Sequence, residues 1–327
     1  MVIANTIRAW LLLVPLIPST MVTIFNLYHL LSSRALRTAL NNHIIILLLS
    51  VGLIEILTDV VWNIYFLRTN NSLSSTPTFC NIWAFISSST FVIIYILMAW
   101  ASIERHILVF HSNWFATVRS RFFFHYVPLT ICIVWPIIFY SLTLLILPCD
   151  YPFYYNKRQC GRYTCIYLVN WVGLCDSIVN YIIPALVVVI FSVALLARVI
   201  YHKYQIHQRV TWRNYKKLVA QLLPISALYL CLLFPPMTLY AAYSTGLPRT
   251  VAPDYFSDGV FFWFWIILFT PFASVTSLPD LQTKCRRLFL LRRATRAIAP
   301  QTLTMNRLQT QQVGTIARNV HTRTLNK

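Results

Sequence analysis

Seven apolar stretches make up most of this chain, at about 9–31, 43–66, 80–110, 122–147, 169–201, 217–243 and 255–278. A helix rises about 1.5 Å per residue and the hydrocarbon core of a bilayer is about 30 Å thick, so about 20 apolar residues make one crossing. Each stretch meets that length, and little chain is left for a soluble domain. The sequence therefore predicts an all-α fold: a seven-transmembrane helix bundle over 9–278, with a short N-terminal segment (1–8) before it. A short amphipathic eighth helix over 279–293 and a disordered tail over 294–327 are expected after it.

The charge pattern sets an expected orientation. Only 11% of residues are charged, against about a quarter in a soluble domain. A net charge of +19 on a soluble surface would suggest nucleic acid. Here, however, 21 of the 27 Lys and Arg follow the first, third, fifth and seventh stretches, while Arg8, Arg68, Lys157, Arg158, Arg162 and Arg249 lie on the other side. Cytoplasmic loops collect Lys and Arg. The expected N-terminus is outside and the tail inside, with the basic side touching anionic membrane lipid rather than nucleic acid. Arg8 ahead of a long apolar run, with no small-residue cleavage site, reads as a retained signal anchor. The eight His residues fall near cytoplasmic span ends or in cytoplasmic segments. No mid-membrane metal site is expected from them, and no cofactor.

The third stretch opens on Cys80 and closes on Glu104-Arg105-His106. The 24 residues between Cys80 and Glu104 cover about 36 Å as helix. One end thus lies on the oxidising side, where a disulfide can form. The other sets a carboxylate beside an arginine where lipid meets cytoplasm. This combination resembles the rhodopsin-like (class A) G-protein-coupled receptors, in a divergent form. That family pairs a cysteine at this place with the second outer loop and ends the third helix in an acidic-Arg-aromatic triplet. Trp135 matches the family's fourth-helix tryptophan, Pro184, Pro235 and Pro271 its helix prolines, and Asn26 and Glu55 its polar residues in the first two helices. Departures are His106 for Tyr, Glu55 for Asp, Leu233 for Trp, Ser192 for Tyr, and Thr270-Pro271-Phe272-Ala273-Ser274 without the usual Asn and Tyr.

The resemblance implies a receptor in the plasma membrane that passes an extracellular signal to a heterotrimeric G protein through Glu104, Arg105 and His106. Glu104 is expected to pair with Arg105 in the resting state. Cys149, Cys160 and Cys165 all lie in the second outer loop, and four outer cysteines allow three connectivities. The family's spacing favours Cys80–Cys165, with Cys149–Cys160 closing a small loop. Asn26, Glu55, Pro184, Pro235 and Pro271 become candidate switch residues, with Glu55 facing inward near Asn26 and the Pro271 turn. Family members often bind sodium at that carboxylate.

Trp83, Ser87 and Phe91 recur every four residues and share a helix face. With Met237, Tyr240 and Phe264 they form a candidate outer pocket for a peptide or small molecule. Ser87 stands where amine receptors carry Asp, which argues against a standard amine receptor. The seventh stretch has no Lys, which excludes an opsin-type Schiff base. Asp176 is read either as a partner for a basic ligand group or as a solvated acid at a helix start. Asn70-Asn71-Ser72 is a glycosylation sequon, and Cys285 in the amphipathic segment a candidate palmitoylation site. A membrane transporter is the alternative reading. It should show internal repeats and broken helices, and no repeat is visible. An enzyme is not expected, because the acids Glu55, Asp59, Glu104 and Asp176 are scattered over three spans.

Overall fold

A computed structural model of the chain describes residues 4–110, 112–147, 151–205, 231–232 and 234–275. The described residues all belong to one compact unit, Met1–Leu278. The expected amphipathic helix with Cys285, the tail, Cys149, Leu233 and most of the segment linking the fifth and sixth stretches lie outside the described residues.

Among the described residues the chain is helical, with no strand. Six helices are long and apolar enough to cross a membrane, the features of a multi-pass membrane protein. They are α1 (Asn5–Ser32), α2 (Asn42–Thr69), α3 (Pro77–Leu108), α4 (Val118–Ile146), α5 (Asn170–Leu195) and, last in the chain, α7 (Pro253–Val275). Between the last two lies the shorter α6 (Phe234–Ser244). It is the described end of the expected sixth crossing at 217–243. Six of the seven expected crossings are therefore present as full helices.

Local chemistry sets several boundaries. Asn70 ends α2 in the left-handed region, at φ 52°, a conformation Asn tolerates better than most residues. Asn70 is exposed, and its side chain accepts from Asn5 at 3.0 Å. The Thr117 side chain accepts from the Ser120 amide at 3.2 Å and caps the start of α4, satisfying an otherwise unpaired helix donor. Three helices contain π turns: Ile56–Val60 in α2, Phe122–Tyr126 and Ser141–Ile146 in α4, and Asp176–Ile182 in α5. Such turns insert a residue, rotate the register and often sit at functional sites. Two of them carry carboxylates, Asp59 and Asp176.

The helices close into a ring. α1 packs on α2 and α7, α2 on α3, α3 on α4 and α5, α5 on α6, α6 on α7, and α7 on α2. α3 is the most enclosed of the six: 72% of its most apolar stretch is buried, against 22% for α1. On α1 the exposed residues include Ile7, Trp10, Val14, Ile17, Met21 and Ile24. Their spacing of three and four makes one continuous apolar stripe. A stripe that large and unpaired fits lipid contact rather than water.

Polar groups pin the ring where helices meet. The Asn26 amide donates to the Pro271 carbonyl at 2.9 Å and to the Ser274 hydroxyl at 3.3 Å, joining α1 to α7. Arg8 pairs with Asp258 and donates to Ser257 at the other end of the same seam. Gly259 of α7 lies directly against Pro236 of α6, where an added Cβ would stand 2.7 Å from the proline Cβ.

Candidate functional site

The segment between α4 and α5 folds over one end of the bundle, and its cysteine pairing differs from expectation. Cys80 bonds Cys160, with Cα atoms 5.6 Å apart, and not Cys165. Cys165 is also disulfide-bonded. The reason for the swap is local backbone. Gln159 and Cys160 both adopt left-handed conformations, at φ 51° and 52°, which turn the chain sharply so that both side chains are buried. Cys165 sits beyond this turn on a separate short helix, Thr164–Leu168.

The turn carries three side chains to the mouth of a cavity of about 290 Å³. The Gln159 amide donates to the Ser87 hydroxyl at 2.7 Å. Arg158 places Nη2 3.6 Å from Asp59 Oδ2 and its guanidinium carbon 5.0 Å from the Phe264 ring centre. Lys157 reaches back over the Tyr154 ring at 4.3 Å. Glu55 and Asp59 of α2 and Ser87, Ser88 and Phe91 of α3 form one wall of the cavity; Phe256, Val260, Trp263 and Phe264 of α7 form another, with Tyr181 and Tyr240 between.

Of the residues expected to line a pocket, Ser87, Phe91, Tyr240 and Phe264 do so. Trp83, Met237 and Asp176 do not. All three are fully buried. Trp83 stands one layer behind the wall, its indole N–H donating to Asp59 Oδ1 at 2.6 Å. Glu55 is not beside Asn26 and Pro271 as expected. It turns toward α3, where the Thr90 hydroxyl donates to it. The small hollow next to Pro271 is reached instead by Leu48, Leu49, Gly52 and Ile56 of α2.

Asp59 and Trp263 are the principal residues that sequence reasoning missed. A carboxylate four residues after Glu55 shares its helix face, and an ionisable residue at that depth is a functional candidate by default. That was the available signal for Asp59. Trp263 had none: it lies in an aromatic run with Phe261, Phe262, Phe264 and Trp265, and only packing selects it, stacked on Phe91 at 4.9 Å.

Asp176 is not a solvated acid at a helix start, the second of its two expected roles. It is fully buried and bonded on both oxygens. Oδ1 accepts from the Tyr140 hydroxyl at 2.7 Å and the Asn180 amide at 2.8 Å. Oδ2 accepts from the Tyr163 and Tyr240 hydroxyls, each at 2.7 Å. Trp135 of α4 in turn donates to Asn180 Oδ1 at 2.9 Å. One carboxylate thus ties together α4, α5, α6 and the covering segment. The α5 π turn supplies both Asp176 and Asn180.

At the far end of α3 Glu104 pairs with His125 of α4, Nδ1 to Oε1 at 2.5 Å, and not with Arg105. His125 Nε2 meets His43 Nδ1 at 2.9 Å, and His43 Nε2 meets the Arg37 carbonyl at 3.0 Å. A carbonyl can only accept, so His43 carries a proton on Nε2, and one proton lies between the two facing imidazole nitrogens. This histidine pair sits at the span ends, where the sequence places His. Arg105 is buried and makes no ion pair among the described residues. Next to it, Arg198 of the α5 extension donates to His106 Nε2 at 3.3 Å.

No protein-family model matches the chain, and no curated protein does.

Proposed function

We propose that this protein is a receptor of the G-protein-coupled kind, divergent within the rhodopsin-like class. In this reading it lies in the plasma membrane with its N-terminus outside, and carries a signal from an extracellular ligand to a heterotrimeric G protein. The observation that carries the reading is the architecture of α3. It is the most enclosed helix, tied by a disulfide beside a cavity at one end and ending in a buried Glu104-Arg105 pair of neighbours at the other. A rod of that kind can couple a binding event to a surface about 36 Å away. The excess of Lys and Arg on the Arg105 side supports the orientation.

The ligand acts only through different affinities for two states. In the resting state Glu104 is held by His125 and thereby ties α3 to α4. In the active state the α6 side opens near Pro235, and Arg105 is freed to meet the G protein. Arg105→Ala abolishes ligand-dependent nucleotide exchange while surface expression stays intact. His125→Leu leaves Glu104 buried without its partner, a cost of about 3–5 kcal/mol to the resting state, and raises basal exchange. The assay is nucleotide exchange on a panel of G proteins during a ligand-library screen. Undiminished exchange by the Arg105 variant refutes the coupling role. Solute flux in proteoliposomes with no exchange would favour the transporter instead.

A further inference from the structure

The cavity beside the disulfide has a charge arrangement that points to a particular chemistry. Glu55 and Asp59 stand four residues apart on α2, each 1% exposed, and both line the cavity. Carboxylates at this depth are costly and persist where they meet polar or cationic partners. Glu55 has the Thr90 hydroxyl. Asp59 Oδ1 accepts from Trp83 at 2.6 Å and Asn63 at 2.8 Å, whereas the buried Oδ2 has no hydrogen bond.

Two cations reach the same space. Arg158 lies 3.6 Å from that bare oxygen, with its side chain 31% exposed, a separation too long for a hydrogen bond. Lys157 is exposed and drawn aside over Tyr154. The two buried acids, which also lie within hydrogen-bonding reach of each other, therefore face one loosely seated guanidinium. The opposite wall is aromatic, with Trp263 and Phe264, and Phe264 already carries the Arg158 guanidinium on its face at 5.0 Å. Carboxylates and ring faces both attract cations.

We propose that this cavity binds a small organic cation, an ammonium or guanidinium on an apolar body, and that Arg158 occupies its place on Asp59 until the ligand displaces it. Ser87 does not exclude an amine here, because the carboxylate comes from α2 rather than α3 and Ser87 is engaged by Gln159. A volume of about 290 Å³ is at the lower bound for ligand pockets and suits a small molecule rather than a peptide. The inference deepens the receptor reading by naming the class of its ligand, and it is tested by binding alone.

The test uses the full chain in lipid nanodiscs with phenylethylammonium and benzylguanidinium as probes. Phenylacetate serves as the control of opposite charge, and tryptophan fluorescence and thermal unfolding are the readouts. Both cations bind and phenylacetate does not. Asp59→Asn weakens cation binding by at least about 30-fold, as for truncating one member of a buried charge pair. Arg158→Ala strengthens it about fivefold, the upper end for a partly exposed ion pair, because the internal competitor is gone. If Asp59→Asn does not fold, Arg158→Ala decides alone: unchanged or weaker cation binding there overturns the proposal, as does a preference for phenylacetate. Cation binding with no G-protein response would sink the receptor reading and leave this site standing. A G-protein response to some other ligand, with no cation binding, would do the reverse.

Discussion

Asp176→Asn tests whether the carboxylate is a structural knot. The substitution keeps shape and volume but turns one oxygen into an amino group that can only donate. Both oxygens of Asp176 accept two hydrogen bonds, so two donors lose their acceptor whichever way the amide is placed. On the Oδ1 side the Asn180 amide cannot be turned round, because its own oxygen is held by Trp135. The amino group therefore faces Tyr163 and Tyr240. Either phenol can rotate to accept, but it then gives up the carboxylate as acceptor for its own proton, and for Tyr163 the Tyr181 hydroxyl at 3.4 Å is only a weak substitute. Each buried unsatisfied group costs about 1–3 kcal/mol, which for two gives about 4 kcal/mol, or roughly a thousandfold in the unfolding equilibrium. Cys132 is buried and free, so its reaction with a thiol fluorophore during denaturant titration reports opening of the bundle, in a background with Cys175, Cys231 and Cys285 changed to Ser. The expected result is a large shift of the transition to lower denaturant. A transition coincident with that of the parent would mean that Asp176 is solvated or free for a ligand, and the knot would have to be abandoned.

Three further outcomes follow from the geometry. Cys160→Ser opens a loop spanning a sequence separation of 80 residues, worth about 4.5 kcal/mol in the loop-entropy account. Cys165→Ser leaves the Cys80 bridge in place, and peptide mapping of unreduced protein finds Cys80 joined to Cys160; a Cys80–Cys165 peptide would refute the assignment. Gly259→Ala forces a methyl to within 2.7 Å of the Pro236 Cβ, costs about 1–3 kcal/mol as overpacking, and lowers the melting temperature; an unchanged temperature would show that α6 and α7 are not so closely apposed.

Helical periodicity was readable where one face alone mattered. Ser87 and Phe91 share a face by spacing and do line the cavity, and Asn26, a lone amide in an apolar helix, does reach the Pro271 turn. Trp83 shares that spacing but lies behind the wall, because the α2 π turn aims Asp59 at its indole. The pairing of Glu104 was not readable either. His125 is 21 residues away in sequence, and only the packing of α4 on α3 brings the imidazole closer to Glu104 than the adjacent guanidinium.

The sequence by itself determined the helices. Apolar runs of spanning length and the near absence of charge leave no other arrangement for most of these residues, since burial in lipid depends on composition and length. Tertiary structure decided the partners: Cys160 over Cys165, His125 over Arg105, three phenols over solvent for Asp176, and Arg158 on Asp59. These depend on π turns and left-handed residues that shift register by fractions of a turn. Hydrogen bonds and disulfides are short-ranged, so a displacement of a few ångströms, too small to alter any hydropathy pattern, is enough to choose between neighbours.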